Sequence, residues 1–171
     1  AEHPEPVNLI PNGGFEDGAQ GWSLGAGQSL DETVAHSGTR SVRLHIPPGE
    51  PGRSNVGITV PVKPNTRYRA ELWIRRENVG VTGAYVSERD DAGNLTGTSA
   101  QYGRPVPQTD GVWHQQVWDL RTQPATTRLN LRGDIYNSTG TIWLDDFALY
   151  ELGEGEYRPI QAAAARDGGA I

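Results

Sequence analysis

Two adjacent carboxylates near the end of the chain interrupt a regular apolar alternation. Apolar residues occupy even positions up to Leu144 and odd positions from Phe147 onward, so the parity changes at Asp145 and Asp146. Because side chains alternate between the faces of a strand, a one-residue shift predicts a β-bulge at these two residues. Carboxylate oxygens are the ligands that hard cations take in proteins. The spacing therefore indicates a cation site beside a buried strand.

An aromatic side chain on the polar face of another predicted strand is the second chemical feature. In residues 68–75 the even positions are apolar, and Trp73 falls on the odd face between Glu71 and Arg75. A flat ring bordered by planar hydrogen-bonding groups suits a sugar, which has an apolar C–H face and a polar rim. The alternative is that Trp73 packs under a loop.

The same alternation selects the other candidate ligand-binding residues. In residues 83–89 it places Tyr85 outward and leaves Glu88 facing inward, a warning that the parity is wrong or that the strand is bulged. The candidates are Trp73, Tyr85 and, from a loop expected at residues 97–107, Tyr102 as aromatic platforms and Arg69, Glu71, Arg75, Gln115, Asn130 and Arg132 as polar partners.

Arginine is frequent among these outward positions. If Arg69, Arg75, Arg89, Arg128 and Arg132 project from one face of this acidic protein, they favour an anionic sugar, because guanidinium groups bind carboxylate and sulfate in a bidentate way. A neutral polysaccharide held by stacking and hydroxyl hydrogen bonds is the other hypothesis.

Period-two alternation covers most of the chain, and no stretch keeps helical periodicity for three turns. We predict strands at 41–46, 56–62, 68–75, 83–89, 115–120, 128–132 and 141–151. Turn signals rich in Pro, Gly, Asn and Asp separate these segments. Short strands at this spacing predict an all-β fold, an antiparallel β-sandwich or jelly roll.

Five segments resemble the motifs of a known family. They are residues 8–16 (NLIPNGGFE), 21–22 (GW), 37–42 (SGTRSV), 90–94 (DDAGN) and 140–151 (GTIWLDDFALYE). Together they resemble carbohydrate-binding modules with a galactose-binding-like jelly-roll fold, the group that includes families four, nine, sixteen and twenty-two. The resemblance implies a noncatalytic module that binds a polysaccharide or oligosaccharide on the concave outer face of one sheet.

The resemblance also implies a structural calcium ion between the opening and closing segments. Its ligands would be the side chains of Glu16 and Asp145, the carbonyl of Asp145, and carbonyls of Gly14 and of Gly38 or Thr39. The alternative is a pair of solvated carboxylates at a strand edge.

The resemblance covers residues 7–152, which we take as the module. Residues 1–6 are expected to be a linker. Residues 153–171 are expected to be a linker or the start of a following domain, the alternative being a disordered tail. By resemblance, the module would target a covalently linked glycoside hydrolase or polysaccharide lyase, in a secreted or cell-surface protein, and would be a monomer.

Composition excludes several other function classes. With 171 residues the chain forms one domain, and its net charge of −6, without a basic run, argues against nucleic-acid binding. No apolar stretch reaches the roughly 18 residues of a membrane span. The chain has no cysteine, which leaves the redox compartment open.

Signals of catalysis are weak. The four histidines are scattered, without metalloprotease spacing, and no nucleophile-elbow or phosphate-loop motif occurs. We therefore predict a nonenzymatic, glycan-binding module. The alternatives are a calcium-stabilised jelly roll with a purely structural or protein-interaction role and, third, a small enzyme on the same fold.

Overall fold

The computed structural model describes residues 6–96 and 101–153, apart from the side chains of residues 101, 102, 104 and 105. Nine strands form there: β1 (Gln28–Asp31), β2 (Ser41–Ile46), β3 (Gly52–Pro61), β4 (Arg67–Glu77), β5 (Thr82–Arg89), β6 (Gln101–Pro105), β7 (Trp113–Arg121), β8 (Arg128–Ser138) and β9 (Gly140–Glu151). These residues contain no helix that could cross a membrane. The predicted tails lie almost entirely outside the described residues and stay predictions.

The strands form two antiparallel sheets. The five-stranded sheet has the order β1-β2-β9-β4-β7, and the four-stranded sheet has the order β3-β8-β5-β6. All strand pairs are antiparallel. The predicted all-β sandwich is confirmed.

The hydrophobic core lies between the sheets, where the predicted alternation puts it. Leu72 and Ile74 of β4 are fully buried, and Leu129 and Leu131 of β8 belong to the same core from the other sheet. Trp118 also lies inside, as predicted. The apolar area removed from water supplies the main stabilising free energy, at about 25 cal/mol per Å².

Glu88 faces this core, and the parity of β5 is nevertheless as predicted. Its carboxylate is fully buried and accepts hydrogen bonds from the Gln123 backbone N–H and the Thr126 hydroxyl, both at 2.8 Å. A buried charge is tolerated when hydrogen bonds replace its hydration. Ala84 and Val86 are buried on the same side, so Tyr85 is indeed outward.

Strands β1 and β6 were not predicted, and β8 extends further beyond its predicted bounds than any other predicted strand. The segment expected at 128–132 continues through Gly133 to Ser138 as β8. Gly133 leaves no room for a side chain because Leu144 of the facing sheet packs against it. The glycine thus marks a close approach of the two sheets, although in the sequence it is typical of a turn.

The opening segment runs beside β9, as predicted. The Leu9 N–H donates to the Leu149 carbonyl at 2.8 Å, and the Asn8 amide donates to the Phe147 carbonyl at 3.1 Å. Behind them the rings of Trp22 and Phe147 pack 4.7 Å apart between centroids. The opening and closing segments therefore form one unit.

The predicted bulge is confirmed. Trp73 of β4 pairs with Asp145, while Glu71 pairs with Ala148, so β9 has one extra residue between these two pairs. Asp146 has a φ of 50°, in the left-handed region that an aspartate adopts more readily than most residues. The bulge re-aims both carboxylates.

Candidate functional site

The predicted ligand-binding residues lie on opposite sides of the sandwich. Outward positions of the five-stranded sheet hold one group and those of the four-stranded sheet hold the other. The first group is Arg69, Glu71, Trp73, Arg75 and Gln115, and the second is Tyr85, Asn130 and Arg132. The prediction of a single binding face is therefore wrong. Alternation separates the two faces of a strand, but it does not tell which sheet the strand joins.

The expected arginine-rich face is divided in the same way. Arg89 and Arg128 share the four-stranded sheet with Arg132, whereas Arg69 and Arg75 belong to the other sheet. Tyr102 pairs with Val86 through its backbone, and its side chain lies outside the described residues.

We call the outer face of the five-stranded sheet around Trp73 the Trp73 face. The imidazole of His36 stacks on the Trp73 ring, with centroids 3.7 Å apart and planes 16° apart. The same imidazole meets the Trp113 ring edge-on, 5.7 Å away. The alternative that Trp73 packs under a loop is confirmed. The loop of residues 32–40, which carries His36, we call the covering loop.

The polar residues of the Trp73 face are committed to internal contacts. Arg69 is 4% exposed, and its Nε lies 3.0 Å from Glu71 Oε2. Gln115 is 8% exposed, and the Arg75 guanidinium lies 5.3 Å from the centre of the Trp143 ring. Few of the predicted rim groups remain for a ligand.

The outer face of the four-stranded sheet around Tyr85 we call the Tyr85 face. The Tyr85 ring lies over the backbone of Gly83 and Gly103, because a Cβ on either glycine would come within 3.0 Å of ring atoms. The Arg132 guanidinium lies 5.0 Å from the ring centre, within cation–π range. The two glycines make room for the ring, and it remains half-buried.

Asp134, next to Arg132 on the same face, was not among the predicted residues. Its side chain is 14% exposed, and its Oδ2 lies 3.9 Å from Arg132 Nε. Its buried Oδ1 has no hydrogen-bond partner. Burial raises the pKa of Asp134, although the Arg132 charge and the Gly83 N–H oppose the rise. Extending the alternation of β8 by one step past Gly133 would have found it.

A second aromatic residue extends the Tyr85 face along β8. Tyr136 is 47% exposed, and the Arg53 guanidinium lies 4.5 Å from its ring centre. Nearer the other end of the strand, the Asn130 amide donates to the Thr59 hydroxyl at 3.0 Å. This face thus presents two aromatic rings, each accompanied by an arginine, with an aspartate and an asparagine between and beside them.

The acidic site comprises Glu16, Asp145 and Asp146. Asp145 is fully buried, and its carboxylate accepts backbone N–H groups of His36 at 2.9 Å and Asp146 at 2.8 Å. Burial raises the pKa of Asp145 to about 7, and the neighbouring charge of Asp146 adds to the rise against these hydrogen bonds. A cation at this carboxylate would relieve both causes.

Glu16 meets the covering loop from the opposite side. One carboxylate oxygen accepts the Thr39 N–H at 2.8 Å, and the other accepts the Arg40 N–H at 3.0 Å. The backbone hydrogen bond from Thr39, with others, outweighs partial desolvation and lowers the pKa of Glu16. Gly38 has a φ of 65° and comes so close that a Cβ would lie 2.5 Å from Glu16 Oε1.

The residues of the expected calcium site lie around Gly14. The position that a Gly14 Cβ would occupy is 3.1 Å from Asp146 Oδ1, 3.9 Å from Asp145 Oδ1 and 4.0 Å from Glu16 Cγ. Among the described residues there is no group of three or more His, Cys, Asp or Glu side chains placed to hold a metal. An ion here would need backbone carbonyls as well, as the expected ligand set includes.

Comparison with known proteins gives a consistent family and fold. A family model described as a carbohydrate binding domain matches residues 7–133. Exochitinase 1 of Streptomyces olivaceoviridis is 30% identical over 153 residues, which are 90% of this chain and 23% of the exochitinase. The chain thus spans about a quarter of the length of the curated relative it matches.

Solved structures of the same fold include two unlike proteins. The enzymatically active domain of tailspike protein 4 from bacteriophage CBA120 matches with a TM-score of 0.69 at 18% identity, over 85% of this chain and 22% of that one. A family 16 carbohydrate-binding module matches with a TM-score of 0.62 at 24% identity, over 84% of this chain and 100% of that one. At these identities the likeness shows the fold alone, and the predicted jelly roll is confirmed.

Proposed function

The chain belongs to the family of carbohydrate-binding domains, as its motifs predicted, and from this premise we propose that it binds a polysaccharide on the Tyr85 face. The family consists of binding domains without catalytic activity. The observation that carries the proposal is the Tyr85 ring seated over Gly83 and Gly103 beside Arg132. The Trp73 face lacks such a platform because His36 covers its ring.

Stacking on Tyr85 and Tyr136 supplies the apolar part of the proposed binding. A pyranose ring offers C–H groups on one face, and aromatic rings contact that face without ordering many rotatable bonds. Arg132 and Asn130 border the platform with donors that reach ring hydroxyls. Tyr136 lies four residues beyond Arg132 on the same strand face, so a chain of sugars can contact both rings.

Asp134 favours a neutral sugar chain over an anionic one. The Asp134 side chain is 14% exposed, and a sugar hydroxyl can donate a hydrogen bond to the exposed part of its carboxylate. A uronic acid would instead bring a second negative charge next to Asp134. The Asp134 carboxylate already balances the positive charge of Arg132, so the added charge would be repelled. We therefore expect a neutral polysaccharide.

We further propose a structural calcium ion at the acidic site. Glu16 and Asp145 would supply side-chain oxygens, with carbonyls of Gly14, Asp145 and Gly38 or Thr39. Support comes from the arrangement of Glu16, Asp145 and Asp146 around Gly14 and from the unfavourable burial of the Asp145 carboxylate beside the charge of Asp146. The ion would fix the covering loop and take no part in chemistry.

The biological setting belongs to the same proposal. The exochitinase is about four times as long as the region it shares with this chain, which supports a role as a module attached to a carbohydrate-active enzyme. We propose that the module itself is a monomer. Polymeric substrates lie outside the cell, so an extracellular or cell-surface location is expected.

The test is affinity electrophoresis through gels containing xylan, β-glucan, glycol chitin or polygalacturonate. We expect retardation by a neutral polymer that persists at high salt, since stacking is not screened. Tyr85→Ala should weaken binding at least about tenfold. Gly103→Ala should also weaken it by displacing the ring, whereas Gly25→Ala, where a Cβ meets only ordinary contacts, should not.

Three results would change the proposal. Unchanged binding by a folded Tyr85→Ala variant would move the site to another surface. Failure to bind any polymer in the panel would instead favour the structural or protein-contact role. Binding to polygalacturonate alone, lost at high salt, would replace the neutral ligand with an anionic one.

A further inference from the structure

A cavity of about 370 Å³ lies at the end of the sandwich where β2 and β4 stop and β9 begins. Its polar wall includes His45, Glu77, Asn78 and Thr141, and its apolar wall includes Ile46 and Pro48. This volume is within the range of small-molecule pockets, about 300–1,000 Å³. The cavity contains none of the residues of the Tyr85 face or the acidic site.

Three of its polar groups form a row across adjacent strands. His45 pairs with Thr141, and Thr141 pairs with Glu77, so the three side chains are neighbours on one face of the five-stranded sheet. His45 Nδ1 lies 2.8 Å from the Thr141 hydroxyl, which orients the imidazole. Within the described part of the chain, neither His45 Nε2 nor the Glu77 carboxylate has a hydrogen-bond partner.

The backbone makes the cavity a preformed feature. Gly140 has a φ of 125°, and a side chain there would collide with the Asn78 carbonyl and the Val79 backbone. The Asn78 N–H in turn donates to Asp110 Oδ2 at 2.9 Å. The turn after β4 and the turn between β8 and β9 are thus held in close contact. The polar groups of His45, Thr141 and Glu77 are therefore already positioned before a ligand binds.

The cavity also lies far from both ends of the module. β9 runs from Gly140 at the cavity to Glu151, a strand length of about 36 Å at 3.3 Å per residue, and the opening segment pairs with its far end at Leu149. Both ends of the described module therefore lie at the end of β9 opposite the cavity.

We propose that this cavity is a second sugar site, which takes one or two sugar residues such as the end of a glycan chain. Sugar hydroxyls both donate and accept, as do the groups of His45, Thr141 and Asn78, while Glu77 only accepts. Ile46 and Pro48 offer an apolar surface to the C–H groups of a ring. The choice of a sugar as ligand rests on the proposed function, but the site is independent of the Tyr85 face.

The experiment is a titration of the isotope-labelled chain, followed by backbone amide NMR shifts, with D-glucose, D-xylose, D-galactose or N-acetyl-D-glucosamine. With at least one sugar we expect saturable shifts at the amides of His45, Asn78 and Thr141, and no such shifts with glycerol. Glu77→Gln should weaken this binding about tenfold, because it removes a charge-assisted acceptor. Glu50→Gln, an exposed carboxylate outside the lining, is the matched control.

The Tyr85→Ala variant keeps the two sites distinguishable. Saturable shifts at the cavity that persist in Tyr85→Ala support a separate site, whatever that variant does to polysaccharide binding. Absence of shifts at the cavity with all four sugars, or equal affinity in Glu77→Gln and the unmodified chain, would overturn the second site. Neither of these results would bear on polysaccharide binding through Tyr85.

Discussion

The two outer faces of the sandwich carry similar side chains, but a loop covers the aromatic ring on only one of them. Each has an outward aromatic ring beside arginines and a carboxylate. On the Trp73 face the imidazole of His36 occupies the stacking position, 3.7 Å from the ring. On the Tyr85 face the corresponding neighbours are the glycines Gly83 and Gly103. The two strand faces thus carry the same kinds of side chain. The covering loop, which crosses only the five-stranded sheet at Trp73, decides which aromatic ring is available to a ligand.

The covering loop is anchored by the bulge of β9. The His36 N–H donates to Asp145 at 2.9 Å, and the His36 imidazole lies 2.6 Å from Asp146 Oδ2. The Ser37 hydroxyl also donates to Asp146. The acidic pair therefore closes the Trp73 face whether or not an ion binds there, and an ion at the acidic site would affect this face and not the other.

The largest expected effect is the loss of stability when the Trp73 ring is removed, which distinguishes Trp73 from Tyr85. Trp73→Ala should lower the free energy of unfolding by about 3 kcal/mol, at the low end for Trp→Ala substitutions because the ring is only half-buried. Urea denaturation measures this loss. Polysaccharide affinity should remain unchanged, which affinity electrophoresis checks.

Tyr85→Ala provides the reciprocal control. It should cost less stability than Trp73→Ala, because the smaller Tyr85 ring packs on two glycines and lies under no loop residue such as His36, and it should lose polysaccharide binding. Loss of binding in a folded Trp73→Ala variant, with binding retained in Tyr85→Ala, would reverse the assignment of the two faces.

Removing calcium should have the next largest effect. At free calcium 100 times its dissociation constant, the ion would stabilise the native state by about 2.7 kcal/mol, and a chelator would remove that contribution. Calorimetry should show a lower Tm in chelator, while affinity for the polysaccharide stays the same. An unchanged Tm would argue against the ion.

The pH dependence in chelator sharpens this test. The pKa of Asp145 is raised to about 7 from an ordinary value near 3.8, so the cation-free folded state binds a proton more tightly than the unfolded state. Its stabilising contribution is full below about pH 3.8 and is lost as the pH rises through 7. The Tm difference between calcium and chelator should therefore grow from about pH 5.5 to pH 8, and Asp145→Asn should abolish that growth.

A smaller effect should appear within the Tyr85 face. Asp134→Asn keeps the shape but replaces a charged acceptor with a neutral one, and charge-assisted hydrogen bonds are roughly twice as strong as neutral ones. Affinity for a neutral glycan should fall by about threefold to tenfold, while affinity for polygalacturonate rises. Asp91→Asn, at an exposed carboxylate near Arg128, is the control and should change neither. Equal effects of the two variants would exclude Asp134 from the site.

Sequence alone predicted the sandwich, the faces of the strands and the bulge, because each depends on local periodicity. The change of parity at Asp145 is the direct sequence signature of the bulge. The alternation around Leu72 shows which side of β4 is buried. The assignment even survived the inward Glu88, whose hydrogen bonds come from residues 35 and 38 positions away.

What sequence could not supply was the relation between segments distant in the chain. Trp73 and Arg132 have the same outward pattern, but their strands join different sheets. The cover over Trp73 comes from His36, and no periodicity links the two residues. Asp134 was missed because Gly133 resembles a turn, although it marks the close contact between β8 and Leu144.

The smallest expected effect concerns Trp143 and Asp31, at the edge of the Trp73 face. Burial alone would raise the pKa of Asp31, but hydrogen bonds from the Thr33 hydroxyl, the Trp143 indole and backbone N–H groups lower it to about 2. A lowered carboxyl pKa stabilises the fold above about pH 3.8, and this contribution is lost as the pH falls through 2. Trp143→Phe removes one donor, so the pKa of Asp31 should rise by less than about one unit, as measured by carboxyl-carbon NMR. The stability difference between this variant and the unmodified chain should narrow as the pH falls from about 5 to 2.

Trp113→Phe, which alters another ring on the same face without touching Asp31, should leave the titration of Asp31 unchanged. An equal change in both variants would mean that the hydrogen bond from the Trp143 indole does not lower the pKa of Asp31. The side chains at this edge of the Trp73 face would then be fixed by fewer internal contacts than those around Trp73.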